Sequence, residues 1–216
     1  MTNKLLDLRP NSLIISAGMP RSGSTWLYNA LRLILEESLL EFDSGWFDDK
    51  RDQIGIQRLL IKTHHFEAEF RNQSALIFYS FRDIRDSLAS AKRMFGHDPS
   101  LARARLYYEN YQTWSKIADY TMKYENMKQS PDETISSICN VLGLTNINPD
   151  KIANRVGRLR HDPKEGHGDR YNPVNLLHKN HITNGEHGSW DDGIPVHLLR
   201  EIENEFGEWF VKHGYF

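Results

Sequence analysis

The sequence predicts an α/β protein, a three-layer sandwich built on a central parallel sheet, and three observations predict it. Apolar runs at Leu13, Ile14 and Ile15, at Leu59, Leu60 and Ile61, and at Leu76, Ile77, Phe78 and Tyr79 show no polar alternation, the pattern of strands buried on both faces. Segments with helical spacing follow them, and strands alternating with helices fold as parallel sheets with right-handed crossovers. Each run also breaks into polar residues at its carboxyl end, the edge where open parallel sheets bind ligands.

Residues 12–17 form the first strand. The stretch Gly18-Met19-Pro20-Arg21-Ser22-Gly23 follows and opens onto a helix over 24–35, with Leu27, Leu31, Ile34 and Leu35 on one face. Gly18 and Gly23 admit backbone angles closed to residues with a Cβ. Successive N–H groups then turn inward and, with the positive end of the helix dipole, form a cradle for an anion. Residues 38–57 are acidic and aromatic-tipped (Phe42, Trp46, Phe47, Asp48, Asp49, Asp52) and read as irregular surface or as a lid. The second strand, 58–63, runs into Lys62-Thr63-His64-His65, and the third, 75–81, into Arg82-Asp83-Ile84-Arg85-Asp86 ahead of a helix carrying Leu88, Ala89 and Met94.

Asp98-Pro99 reads as a cap with proline in the first turn of a long helix reaching residue 120. Its Tyr107, Tyr111 and Trp114 fall at helical spacing and read as core, with the lining of an acceptor pocket as the other reading. A short strand at 121–124 comes next. Ser130-Pro131-Asp132-Glu133 is a capping box opening a helix to Leu142, and Asn148-Pro149 caps another to Leu159. Residues 161–188 hold His161, His167, His178, His181 and His187 amid glycine, proline and charge. Their spacing is irregular and no cysteine accompanies them, so a solvated or substrate-contacting loop is expected rather than a zinc site. Residues 195–214 close the chain as an amphipathic helix with Leu199, Ile202, Phe206, Trp209 and Phe210 inward.

A chain of 216 residues reads as one domain, 1–216, long enough to bury its core without disulfides. Its single cysteine, Cys139, sits in an amphipathic run and reads as a core thiol. Residues 1–10 carry Asp7 and no long apolar region, so a reducing cytoplasm is expected. No apolar run approaches membrane-spanning length, and stable membrane insertion is not expected. With 27 Lys and Arg against 29 Asp and Glu, the net charge of −2 argues against a general nucleic-acid binder. Oligomeric state is not set by the sequence.

The spacing from Gly18 to Gly23 and Thr25 matches the ATP-binding loop G-x-x-x-x-G-K-[ST], except that Ser24 stands where the lysine belongs. Arg21 is the one strong cation of the loop. The polar end of the third strand opens with Arg82 and not with the acidic magnesium ligand expected there, so the loop suits a shorter anion than ATP. The rival readings are a small P-loop nucleotide or metabolite kinase and a catalytically silent nucleotide-binding module.

Pro20-Arg21-Ser22-Gly23-Ser24-Thr25-Trp26 resembles the 5′-phosphosulfate loop of sulfotransferases, P-K/R-S-G-T/S-T-W. Arg82-Asp83-Ile84-Arg85-Asp86 with Ser90 is similar to the family's 3′-phosphate segment, Lys62-Thr63-His64 to its K-T-H strand end, and Tyr124-Glu125-Asn126 to its Y-E-D segment. Gly185-Glu186-His187-Gly188-Ser189-Trp190 resembles the late G-x-x-G-D/S-W motif, although Thr183 and Asn184 stand where the family has basic residues. Lys179, His181 and Arg170 are the candidate substitutes. The resemblance covers essentially the whole chain and implies the P-loop-like sulfotransferase fold.

It further implies transfer of a sulfuryl group from 3′-phosphoadenosine-5′-phosphosulfate (PAPS), leaving 3′-phosphoadenosine-5′-phosphate (PAP), to a hydroxyl or amine of a small-molecule, lipid or saccharide acceptor, without a metal. His64 would be the general base, because imidazole titrates near neutrality, and Lys62 and Arg21 would steady the sulfuryl and phosphate oxygens. Arg21, Ser22, Gly23, Ser24, Thr25, Trp26, Arg82, Ser90, Tyr124, Thr183, Asn184 and Gly185 would bind the donor. Adjacent residues in extended chain point to opposite faces, so only one of His64 and His65 can serve, and the resemblance selects His64.

Overall fold

The computed structural model describes residues 11–67, 70, 75–161, 171–179, 185–190 and 193–216. Its strands are β1 (Leu13–Gly18), β2 (Asp43–Trp46), β3 (Leu59–Thr63), β4 (Ala75–Phe81) and β5 (Tyr120–Lys123). They form one sheet in the order β2-β3-β1-β4-β5, and every pairing is parallel. The helices are α1 (Ser24–Glu37), α2 (Phe47–Lys50), α3 (Ile84–Phe95), α4 (Leu101–Trp114), α5 (Tyr124–Gln129), α6 (Pro131–Leu142), α7 (Pro149–Arg158) and α8 (Val196–Lys212).

The central strands are buried on both faces because each side carries its own apolar layer. Ile15, Ala17, Ile61 and Tyr79 pack with Leu88 of α3, Trp114 of α4 and Trp209 of α8, while Ile14, Leu60 and Phe78 pack with Leu31 of α1, Ile138 of α6 and Ile152 of α7. Two cores on two sides of one sheet make the three layers read from the unalternating apolar runs. From β1 the chain builds one half of the sheet through β2 and β3 and then crosses to β4 on the other side of β1, and a crevice opens at such a switch point beyond the strand ends.

Four local expectations are corrected. Residues 43–46, expected as irregular surface or lid, are the edge strand β2, which pairs with β3 from Asp43↔Leu59 to Trp46↔Lys62. Its sequence, Asp-Ser-Gly-Trp, lacks both an apolar run and strand propensity, so only the pairing makes it a strand. The long helix is capped by Ser100, whose side chain accepts from Arg103 N, rather than by Asp98, and it stops at Trp114. Ser130 begins α6 without any side-chain cap bond, so the capping box is not formed. In α8 Leu198 is buried and Leu199 is only partly so. Among the described residues no helix is long and apolar enough to cross a membrane.

Candidate active site

β1 delivers the glycine loop beside β4, with Gly18 opposite Ser80. A Cβ on Gly18 would lie 2.4 Å from Ser80 Oγ and 2.6 Å from Ser24 Cβ, so close approach, and not a left-handed backbone, requires glycine there. The left-handed positions of the loop are Gly23 (φ 80) and, against expectation, Arg21 (φ 64). For a residue with a Cβ that conformation costs on the order of 1 kcal/mol, and such strain gathers where the surroundings over-determine the backbone. Ser22 supplies that determination. Its hydroxyl donates to the Met19 carbonyl at 2.7 Å and lies 2.7 Å from Ser80 Oγ, which makes Ser22 a buried brace outside the cavity lining.

Gly23 begins α1 without a side-chain cap. The first-turn N–H groups of Ser24, Thr25 and Trp26 therefore have no acceptor from their own helix, and they sit at the positive end of its dipole. These three residues line a cavity of about 710 Å³ together with Arg21, Gly23, Lys62, His64, Arg82, Ser90, Tyr124 and Gly185. The volume lies within the range of small-molecule sites, roughly 300–1,000 Å³.

From β3, Lys62 and His64 both reach this cavity, while His65 is exposed. His64 Nδ1 is 2.6 Å from the Gly18 carbonyl oxygen. A carbonyl only accepts, so Nδ1 carries the proton and Nε2 of the neutral ring keeps its lone pair. Burial, followed by the nearby Lys62 charge, holds the imidazole down to about 3. Lys62 itself is brought down to about 7, first by burial and then by Arg21. Its ammonium lies 4.0 Å from the centroid of Trp46, and no carboxylate reaches it among the described residues.

A second group of cationic and hydroxyl side chains is built on β4 and α3. Arg21 Nε donates to Ser90 Oγ at 3.0 Å. Arg82 donates to the Glu186 carbonyl, lies 3.6 Å from the Asp86 carboxylate and stacks 4.2 Å over Tyr124, yet its buried Nε has no hydrogen-bond partner among the described residues. Asp86 also accepts from the N–H groups of Gly188 (2.8 Å) and Ser189 (3.0 Å), and the Tyr124 hydroxyl donates to the Gly185 carbonyl at 2.9 Å. These bonds dock the late glycine motif onto the arginine. Burial and then repulsion by Arg82 lower the Arg21 pKa. Thr183, Asn184, His181 and Arg170 lie outside the described residues, and Lys179 does not line the cavity.

The described lining contains Arg21, Lys62, Arg82, Arg103 and Lys128 but no Asp or Glu. A cavity of that composition attracts a polyanion. Among the described residues, no group of three His, Cys, Asp or Glu is placed to hold a metal. Trp46 from the aromatic-tipped stretch and His178 from the histidine-rich segment line the cavity, as do Asn29, Phe95, His97, Arg103 and Lys128, which were not singled out from sequence as site residues. For Arg103 a signal existed, because it stands one helical turn before Tyr107. Trp46 stood among the aromatic tips of 38–57, but its place beside Lys62 depends on β2. Tyr107 serves both of its readings, core and pocket wall.

A central parallel strand, a glycine loop, an open helix N-terminus and a described cavity lining without carboxylates define an α/β protein of the P-loop type. Residues 10–214 match the sulfotransferase domain family, and the chain belongs to that family, whose members transfer sulfuryl groups. No curated protein sequence matches at a significant level. Among solved structures, mouse sulfotransferase SULT7A1 complexed with PAP is similar at TM-score 0.68 and 16% identity, over 94% of this chain and 84% of that one. Retinol dehydratase in complex with androsterone and inactive cofactor PAP is similar at 0.60 and 15%, over 96% and 83%. The same enzyme with retinol and PAP gives 0.58 and 16%, over 96% and 84%. The fold is thus the sulfotransferase fold.

Proposed function

We propose that this sulfotransferase moves the sulfuryl group of PAPS to a hydroxyl or amine of a small-molecule acceptor, with His64 as general base. The hydrogen bond from His64 Nδ1 to Gly18 carries the assignment, because it fixes the tautomer whose Nε2 accepts a proton beside the anion loop. The residues fit the donor. Unfilled first-turn N–H groups and Arg21 suit the 5′ end, and the unpartnered buried Nε of Arg82, with Ser90, suits the 3′-phosphate.

As the acceptor oxygen bonds to sulfur, the bond from sulfur to the phosphate oxygen breaks with its electron pair, and the acceptor proton passes to His64 Nε2. Lys62 and Arg21 offset the charge that grows on the sulfuryl and phosphate oxygens. A bound polyanion also reverses the repulsion that depresses His64 and Lys62, so donor binding raises both toward the range where a base is useful. Structural neighbours carry retinol or androsterone alongside PAP, which supports a small-molecule acceptor here. The buried, free Cys139 supports a cytoplasmic setting.

Labelled PAPS offered with a panel of phenols, aliphatic alcohols, saccharides and amines tests the reading. Label transfer to at least one acceptor is expected. PAP binding without transfer to any class would make the chain a silent nucleotide-binding module.

A further inference from the structure

Resting on the donor reading above, we infer that the acceptor is itself an anion: a hydroxyl compound bearing a carboxylate or similar group that Arg103 binds at the far end of the cavity. Arg21, Lys62 and Arg82 are matched by the sulfate and phosphates of the donor, which leaves Arg103 on α4 and Lys128 on α5. Arg103 belongs to α4 and lines the same cavity. Its Nε is buried without a hydrogen-bond partner, and no carboxylate lies within ion-pair distance among the described residues. The guanidinium is hydrogen-bonded to the Tyr107 side chain, yet a buried Nε left unsatisfied is costly, and an anionic group on the ligand is the partner that nitrogen lacks.

α4 also sets the distance. Asn110 Nδ2 donates to the backbone carbonyl of His64 at 2.7 Å, and Asn110 is held in turn by the Tyr79 hydroxyl at 2.9 Å. Arg103, Tyr107 and Asn110 stand at i, i+4 and i+7, so they share one face of the helix. The seven residues from 103 to 110 rise about 10 Å at 1.5 Å per residue. The helix is therefore a ruler with the general base at one end and a guanidinium at the other, and Tyr107 walls the space between. The anionic group belongs about one such span from the hydroxyl that is sulfated.

A rigid pair of probes separates charge from shape. 4′-Hydroxybiphenyl-4-carboxylate places its phenol and its carboxylate at about that helix span, and its methyl ester has the same frame without the charge. Calorimetric titration of each into PAP-saturated protein should show the acid bound about 10- to 100-fold tighter, the scale of a hydrogen bond to a charged group. Arg103→Gln should abolish the preference, Arg103→Lys should retain part of it, and PAP affinity should be unchanged in both. Equal binding of acid and ester to the native protein overturns the inference. So does a preference that survives Arg103→Gln, or failure of both probes to bind while PAP binds. Failure of PAP itself to bind overturns the donor reading instead.

Discussion

Trp46 and Lys62 are partners in register across β2 and β3, and the lysine ammonium lies 4.0 Å from the centroid of the indole ring. Burial and Arg21 bring this lysine to about 7 from its ordinary 10.5. Between those values the unfolded chain holds a proton that the folded chain lacks, so stability rises with pH across the window, and the full deficit is present below about 7. Lys62→Met should therefore raise the Tm of the unliganded protein most at neutral and acidic pH, with the gain shrinking above the window. Calorimetry across pH reads it. A gain that does not vary with pH would mean that packing alone changed.

The same lysine predicts proton uptake. An anion placed beside it restores the charged form, so PAP binding slightly above neutral pH should take protons from the buffer. Titration calorimetry in buffers of different ionisation enthalpy should give different apparent enthalpies, and Lys62→Met should remove most of the difference. Identical enthalpies in native protein would place the titrating group elsewhere.

His64→Asn keeps a donor for the Gly18 carbonyl but has no lone pair to act as base. Turnover should fall on the order of 10²- to 10⁴-fold while PAP affinity holds. His65→Ala should turn over normally, because that ring is exposed and hydrogen bonds engage its backbone, the N–H donating to Thr63 Oγ1 at 3.0 Å and the carbonyl accepting from the same hydroxyl at 2.9 Å. Collapse in the His65 variant with normal turnover in the His64 variant would reverse the assignment.

Arg82→Ala should weaken PAP binding by about 1.5–3 kcal/mol, the usual scale for hydrogen bonds to a charged group. Adenosine 5′-phosphosulfate, which lacks the 3′-phosphate, should lose much less. PAP should raise the Tm without magnesium, and ATP should do so weakly because Ser24 occupies the loop's lysine position. A larger shift from magnesium and ATP would contradict the loop's reading.

Gly18→Ala should destabilise the fold by about 1–3 kcal/mol or more, since its Cβ meets two buried atoms that the loop cannot move apart. Gly23→Ala should also destabilise, through its φ of 80 and a contact of 3.0 Å with the Tyr124 ring. Chemical denaturation measures both. A neutral Gly18→Ala would show that the strand end relaxes.

Much of this protein follows from local sequence alone. Unalternating apolar runs marked β1, β3 and β4, because a strand covered on both faces has no polar side to display. The loop from Gly18 to Gly23 and the polar ends of β3 and β4 marked the site's edge, since they are sequential features of single strand-to-helix turns. What only the tertiary structure decided is what depends on a neighbour distant in sequence. β2 is a strand because β3 offers it an edge, and through it Trp46 meets Lys62. Gly18 is required by Ser80, 62 positions later in the chain, and not by its own backbone angles. The depressed Lys62, the tautomer of His64 and the place of Arg103 arise likewise, because burial, Coulombic repulsion and cavity shape are properties of elements packed together, which no single element's periodicity records.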